Sequence, residues 1–411
     1  MGYTQPFENG RFGSFEKEAS VEKVLVVVVM AALVLFGLSS PVGPVRYLGA
    51  TSIPTDEWTF GTMPVGGISG LAYDPATDLT YAVSDDRGEA GTPGRLYTLK
   101  IAVDQRGVRR VQVVGVAFLD SDPKTPGIQP YAPKSIDAEE VVLTPDGNLI
   151  ISSERDLENR PWIREFAPDG SFLREIPLPE AFVPSPGRGT RTNFAFEGLG
   201  LTPAGDTLYV ANEEALEQDG PLATVDDGTT VRILEYDLTS QTPSLRAEYA
   251  YVTEPIFAAA KDGPSDNGVS AMAYIKHLWP EYDLLVVERA FATGVGNDVK
   301  LFGVKLGGAD DVKDAASLPF PYAGKAASKT LLARLSALPG VSKISLKPDN
   351  LESITVGPAL SADRFTLLLA SDNNFNATQT NQFVALEVVP PPPPGSTKPL
   401  FRYCKSCGAR D

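Results

Sequence analysis

One histidine, His277, and two cysteines, Cys404 and Cys407, are all that 411 residues hold of the usual soft metal ligands and nucleophile activators. A Ser-His-Asp mechanism would rest entirely on His277, and no G-x-S-x-G elbow accompanies it. Histidine-rich zinc sites and histidine phosphotransfer are disfavoured for the same reason. His277 precedes Leu278, Trp279 and Pro280 in what reads as a loop between strands, the setting of an ordinary packing histidine. Both cysteines lie in the tail, so the body of the chain has no disulfide of its own; Cys404-Lys-Ser-Cys407 supplies two of the four ligands a structural zinc needs, and a local disulfide or free thiols are the plainer alternatives. Positive charge is also scarce. Lys and Arg number 36 against 52 Asp and Glu, a net charge of -16, and no basic run is assembled, which opposes binding to a nucleic-acid backbone. An anionic substrate would need a metal ion or local arginines. No phosphate loop is present either, since GGISG at Gly66 to Gly70 lacks the following Lys and Ser/Thr.

Long apolar runs are limited to Val24 to Leu38, whose fifteen residues would make a helix of about 22 Å, short of a hydrocarbon core of roughly 30 Å. A signal-peptide core fits better, with Gly37-Leu38-Ser39 as a small-x-small cleavage pattern, and a short uncleaved anchor is the alternative. The expected location is therefore exported, periplasmic or extracellular, with membrane contact only through an uncleaved leader. The residues before the run are acidic where a leader should be basic, which points to a translation start at Val21; recovery of peptides from Thr4 to Glu18 would exclude it. Pro390 to Pro394 favours a stiff polyproline spacer that ends the folded part. This divides the chain into a leader (1–40), a body (41–389) and a Pro-rich linker with a Cys-containing tail (390–411).

What the body does contain is strand signals at regular spacing, with 43% hydrophobic and 21% charged residues overall. Five units share one layout. Ser69, Glu139, Glu197, Ser270 and Glu352 each precede a short strand, and a turn then returns the chain through a second apolar strand ending in acids: YAVSDDRG, LIISSERD, LYVANEE, LLVVERAF and FTLLLASDNN. The unit starts lie 70, 58, 73 and 82 residues apart, long for four-stranded blades unless loops are inserted. The last unit shows three strands, while a strand-like segment, VRYLGATSI, stands unpaired at Val45 to Ile53. Ring closure by that segment makes the fold an all-β propeller with five visible blades. Six or seven are allowed, because the inserts near Asp120 to Ser135 and Asp310 to Leu338 could hide strands; Ala326 to Leu338 alone carries a helical periodicity.

Antiparallel pairing sets the start of each first strand beside the end of each second, so one mouth of the ring should collect Glu139, Glu197 and Glu352 with Asp85, Asp86, Glu154, Glu213, Glu288 and Asp372. Carboxylates converging on one axis are relieved by hard cations with oxygen ligands, and calcium is the expected cofactor. Metal-bound water would then attack an ester or phosphoester while Arg87, Arg155 and Arg289, alternating with the acids, hold an oxyanion. The competing explanation is that acids gather at turn ends to satisfy backbone groups and stay solvated.

The stretches GLAYDPATDLTYAVSDDRG (Gly70 to Gly88), DAEEVVLTPDGNLIISSERD (Asp137 to Asp156), RTNFAFEGLGLTPAGDTLYVANEEAL (Arg191 to Leu216), LLVVERAF and NLESITVGP together resemble the phytase-like family described as having esterase-like activity of phytase. The resemblance implies an exported propeller with phosphoesterase or esterase activity. It carries over Glu139, Arg191, Glu197, Glu154, Arg155, Glu213, Glu288 and Arg289 as candidate site residues, of which Glu197, Glu139, Arg155, Arg289 and Arg191 are the catalytic candidates. Where the family shows D-x-E-G, this chain has Asp137-Ala-Glu139-Glu140, which adds a second acid. Three readings stand at this point: a calcium-dependent hydrolase of a small ester or phosphoester, a non-catalytic exported propeller with structural calcium that binds a ligand or partner, and a lactonase-like or carboxylesterase propeller.

Overall fold

A computed structural model describes residues 44–88, 91–338, 346–361 and 364–390; the leader, most of the proline run and the cysteine pair lie outside the described residues. Strand β1 (Val45–Pro54) is followed by a two-residue hairpin, β2 (Thr59–Phe60) and β3 (Met63–Pro64). Four-stranded antiparallel blades follow. The first is β4 (Ile68–Asp74), β5 (Leu79–Ser84), β6 (Arg95–Asp104) and β7 (Gly107–Phe118); the second is β8 (Ala138–Leu143), β9 (Leu149–Ser153), β10 (Trp162–Phe166) and β11 (Phe172–Ile176). The third is β12 (Phe196–Leu201), β13 (Thr207–Asn212), β14 (Thr230–Asp237) and β15 (Ser244–Val252), and the fourth is β16 (Ser265–Tyr274), β17 (Leu284–Ala292), β18 (Gly296–Lys305) and β19 (Ser328–Arg334). The fifth is β20 (Leu351–Val356), β21 (Phe365–Ser371) and β22 (Thr380–Val388), completed on its outer edge by β1 from the other end of the sequence. The chain is a five-bladed β-propeller closed by its N-terminal strand. Among the described residues no helix is long and apolar enough to cross a membrane.

The core is five slabs, one between each pair of neighbouring blades, and strand periodicity builds it. In β9, Leu149 and Ile151 enter the slab shared with the first blade while Ile150 enters the one shared with the third. In β21, Leu367 and Leu369 face the fourth blade and Leu368 and Ala370 face the first. Because successive side chains point to opposite faces and both faces are covered, these strands read as unbroken apolar runs.

Neither insert hides a blade. Residues 120–135 run as a loop fastened by the Asp120–Pro130 bridge and by Asp120 N donating to Gly170 O at 2.9 Å. Residues 306–327 lie over the outer strands of the third blade, bridged at Tyr249–Asp311. A fully buried arginine anchors them: Arg232 is forked by Asp219 at 2.5 and 2.8 Å and by Glu248 at 2.6 Å, and Asp219 also accepts Leu318 N at 2.8 Å. The helical expectation for Ala326 to Leu338 is overturned. Most of it is β19, the outer edge of the fourth blade, followed by a short 3-10 turn, Leu335–Ala337. Pairing with β18 outweighed good helix formers, a tertiary override of local propensity.

Candidate metal centre at one mouth of the propeller

The site is built by one backbone device used five times. In every blade the pairing of first and second strand slips near the start, between Ile68 and Gly70, Ala138 and Val141, Phe196 and Gly198, Val269 and Ala271, and Leu351 and Ser353. The extra residues include Ser69, Glu139, Glu197, Ser270 and Glu352, which are the five unit starts. A β-bulge re-aims its side chain, and here it turns three glutamates towards the axis. Opposite the residue before each bulge stand Ser84, Ser153, Asn212, Glu288 and Ser371, and the next residues are Asp85, Glu154, Glu213, Arg289 and Asp372. Four of those five are fixed by the same contact, their N–H donating to the carbonyl before the first strand: Asp85 to Gly67 (3.0 Å), Glu154 to Asp137 (2.9 Å), Glu213 to Ala195 (2.6 Å) and Asp372 to Asn350 (3.0 Å).

Two triads of buried carboxylates result, Asp137 with Glu139 and Glu154, and Glu154 with Glu197 and Glu213. Within each, one oxygen per residue lies within 4.8 Å of the others, and Glu154 belongs to both. Calcium–oxygen distances of about 2.3–2.6 Å place opposed ligands up to about 5 Å apart, so either triad can hold a hard cation. The chain itself supplies less positive charge than the site contains negative. Arg155 Nε meets Asp137 at 2.5 Å, with Arg87 Nε at 3.4 Å from the same carboxylate, while Arg289 reaches Glu213 at 3.0 Å, Glu352 at 3.2 Å and Asp266 at 3.3 Å. Among the described residues, Glu139, Glu154, Glu197, Asp85 and Asp372 make no ion pair of this kind. Burial, reinforced by neighbouring carboxylates, pushes Asp85 and Glu154 up to about 8 and holds Glu139, Glu197 and Asp372 well above the ordinary carboxylate range. Burial also raises Glu213 and Glu352, and Arg289 offsets part of it. Arg289 stays protonated, its pKa raised by Glu352, Glu213 and Asp266 against the cost of burial.

The predicted residues thus divide. Glu139, Glu154, Glu197, Glu213, Glu352, Asp85, Asp372, Arg155 and Arg289 stand around this mouth. Glu288 does not join them. It accepts from Tyr251 Oη at 2.6 Å, Lys329 Nζ at 2.7 Å and Glu254 N at 2.8 Å, between the third and fourth blades. It occupies the position of Ser84, Ser153, Asn212 and Ser371, and its neighbour Arg289 takes the position that carries a carboxylate in the other blades. Arg191 is committed to carbonyls, Nε to Ala215 O at 2.9 Å and a terminal nitrogen to Gly220 O at 2.8 Å, where it fastens the loop after β13.

Asp137 and Asp266 complete the cluster and are absent from the sequence candidates; the signal for Asp137 is its place two residues before a unit start, where the other blades carry Gly67, Ala195, Gly268 or Asn350. Asn193 also reaches the rim. Its backbone is left-handed (φ +67°), and its side-chain oxygen accepts from Arg155 at 2.8 Å. Gly67 is required beside Asp85, because its φ is +63° and a Cβ there would lie 2.0 Å from Asp85 Oδ1.

The second acid of the DAEE run turns away from the cluster. Glu140 is buried against Gly70, one oxygen accepting Val141 N at 2.9 Å and the other unpartnered. Desolvation raises its pKa well above the ordinary value. An acid raised by folding destabilises the fold progressively as pH climbs from its unfolded value through its folded one. Glu140→Gln is therefore expected to match the parent near pH 4 and to exceed it by about 1–3 kcal/mol at pH 8, read by urea unfolding at both pH values. Equal stabilities at pH 8 would show that Glu140 finds a partner.

The fold and this site define a five-bladed propeller with a buried carboxylate cluster, competent to bind metal, at one mouth. The chain belongs to the Phytase-like family, described as esterase-like activity of phytase, whose model matches residues 63–375. It is 28% identical over 181 residues to an uncharacterized secreted protein of Arthroderma benhamiae, a match covering 38% of this chain and 34% of that one, so the chain spans about a third of that relative's length. Among solved structures it is similar to the periplasmic gluconolactonase of Pseudomonas aeruginosa (13% identity, 80% of this chain and 87% of that one, TM-score 0.34). A putative glycoside hydrolase of Parabacteroides distasonis is also similar (8% identity, 85% and 94%, TM-score 0.40).

Proposed function

We propose that this chain is an exported, calcium-dependent hydrolase that acts on small phosphate esters at the acidic mouth. The observation that carries the reading is the pair of buried triads sharing Glu154, an all-oxygen donor set with too few guanidiniums to balance it. Oxygen-only donors suit calcium, whereas zinc is bound mainly through nitrogen and sulfur. Glu139, Glu154, Glu197, Glu213 and Asp137 hold the cation. When bound, it supplies charge that polarises an ester and acidifies water. Arg155 and Arg87 are only partly buried, at 13% and 26% side-chain exposure, and stand where an anionic ester enters. Arg289 holds Glu213 and Glu352 apart from one another's charge. Export rests on the leader-like run Val24 to Leu38 and on the secreted fungal relative.

Depth of burial favours a second reading, a structural cation in a propeller that binds without turnover, because Glu139, Glu154, Glu197 and Glu213 are 3–8% exposed. A carboxylesterase or lactonase reading would gain little from the rim arginines. Metal analysis of the purified protein, with hydrolysis of p-nitrophenyl phosphate and p-nitrophenyl acetate before and after chelation, separates the three. Phosphatase activity lost on chelation and restored by calcium is expected. Chelation that lowers Tm with no turnover in either state assigns the structural role, and acetate hydrolysis alone assigns the carboxylesterase.

A further inference from the structure

The first strands of the blades start at the acidic mouth and end at the opposite one, where they surround a cavity of about 630 Å³, within the range of small-molecule sites. Its innermost ring is Leu71, Val141, Leu199, Met272 and Ile354, all buried and each two residues beyond a unit start. Two strand residues span about 7 Å, which sets the distance along each strand from a unit start to this ring. Outward, half-buried Tyr73, Leu143, Leu201, Tyr274 and Val356 continue the wall.

In a chain of net charge -16 this wall holds a single carboxylate, Asp74, and no Lys or Arg. The carboxylate of Asp74 is committed to its own turn, accepting Ala76 N at 2.9 Å and Thr77 Oγ1 at 2.6 Å. The threonine hydroxyls are occupied too: Thr202 bonds Asp206, Thr144 accepts Asn148 N and Thr355 accepts Tyr73 N. Tyr73 Oη donates to Asp78. The polar groups not tied down in this way are the Tyr274 hydroxyl and the His277 imidazole. Their rings stack in parallel at 5.9 Å, continuing from Tyr209 at 6.0 Å, and partial burial lowers the His277 pKa, keeping it neutral at pH 7. The one carboxylate of the wall is engaged by its own turn, and an anion meets no Lys or Arg there.

We propose that the mouth opposite the acidic ring is a second binding site, for a neutral small molecule with an apolar body whose one polar end faces Tyr274 and His277. The apolar wall, which holds no Lys or Arg, selects the body and the stacked rings fix the polar end. The site is independent of the cation.

The test titrates the full chain with N-phenyl-1-naphthylamine, a neutral dye that fluoresces in apolar surroundings, using the anionic anilinonaphthalene sulfonate as the contrast. The expected result is one saturable site for the neutral dye, binding at least tenfold tighter than the anionic one. Leu201→Arg should weaken it at least tenfold, and Val356→Arg, from another blade, serves if the first variant does not fold. His277→Ala should weaken it about threefold, while chelation and Glu197→Gln leave it unchanged, which separates this site from the proposed hydrolase. Equal dye binding in the folded arginine variants, preference for the anionic dye, or no binding to the parent overturns the proposal. A sedimentation coefficient that falls in Leu201→Arg, without dye binding to the parent, would give the mouth to a second copy of the chain instead.

Discussion

Glu154→Gln is expected to abolish hydrolysis and to weaken calcium binding on the order of 100-fold, the scale on which perturbed metal sites lose affinity. Glu154 is the one carboxylate common to both triads, so a single substitution removes a charged ligand from each. The same change should stabilise the cation-free protein. The Glu154 pKa rises to about 8 on folding, chiefly through burial and then through Asp137, so at pH 7 the folded state pays to ionise it or to keep its proton. The sign is that of an acid raised by folding: its contribution is intact below the ordinary value near 4.5 and is lost as pH rises towards 8. Across that window to pH 7 the loss is on the order of 3 kcal/mol, which glutamine avoids while its side-chain carbonyl still accepts Ala195 N, the bond seen at 2.6 Å. Thermal unfolding in chelator at pH 5 and pH 8, with and without calcium, reads both halves. In chelator the variant should melt above the parent at pH 8 and alongside it at pH 5. In calcium the order should reverse. A variant less stable than the parent in chelator at pH 8 would mean that Glu154 is not held among like charges.

The contrast between what the sequence showed of this site and what it hid is one of register. The propeller, its ring closure and the direction of the first strands were legible, because hairpins ending in acids recur, one strand stands unpaired at the start of the body and the last unit lacks one. The bulges were not. They are a slip of one residue in pairing, with no composition of their own, yet they decide which of two adjacent side chains reaches the axis. In LLVVERAF the slip sends Arg289 inward and Glu288 between blades, where the sequence places both at the mouth. Aligning VVERAF with AVSDD, ISSER and VANEE would have shown it, since Glu288 then falls on Ser84, Ser153 and Asn212. Arg191 was misjudged for a different reason: a guanidinium beside an acidic motif reads as an anion binder, and nothing in the sequence says that two backbone carbonyls claim it first. Asp137 and Asp266 were hidden because they stand before the unit starts, Asp137 just ahead of β8 and Asp266 in the first residues of β16, and only closure of the ring brings those positions together.

Arg289→Met is expected to be the most destabilising single change at the mouth. The fourth blade is the one that places a cation where the others place a carboxylate, and this guanidinium, 9% exposed as a residue, touches Glu213, Glu352 and Asp266 at 3.0–3.3 Å. Breaking a buried pair by removing one partner leaves an uncompensated charge and costs about 3–5 kcal/mol. Three acids share this partner, so the loss should stand at the upper end at pH 8 and shrink towards pH 5, where Glu213 and Glu352, already raised by burial, take up protons. Calcium should restore part of it by supplying charge to Glu213 from the triad side. Arg289→Lys keeps the charge but loses the planar fork that reaches three carboxylates at once, and should fall between the parent and methionine. Urea unfolding of the three proteins at both pH values, in calcium and in chelator, measures each of these differences. A methionine variant as stable as the parent in chelator at pH 8 would show that the carboxylates carry protons in the native protein, and that the mouth holds less negative charge than the cation reading requires.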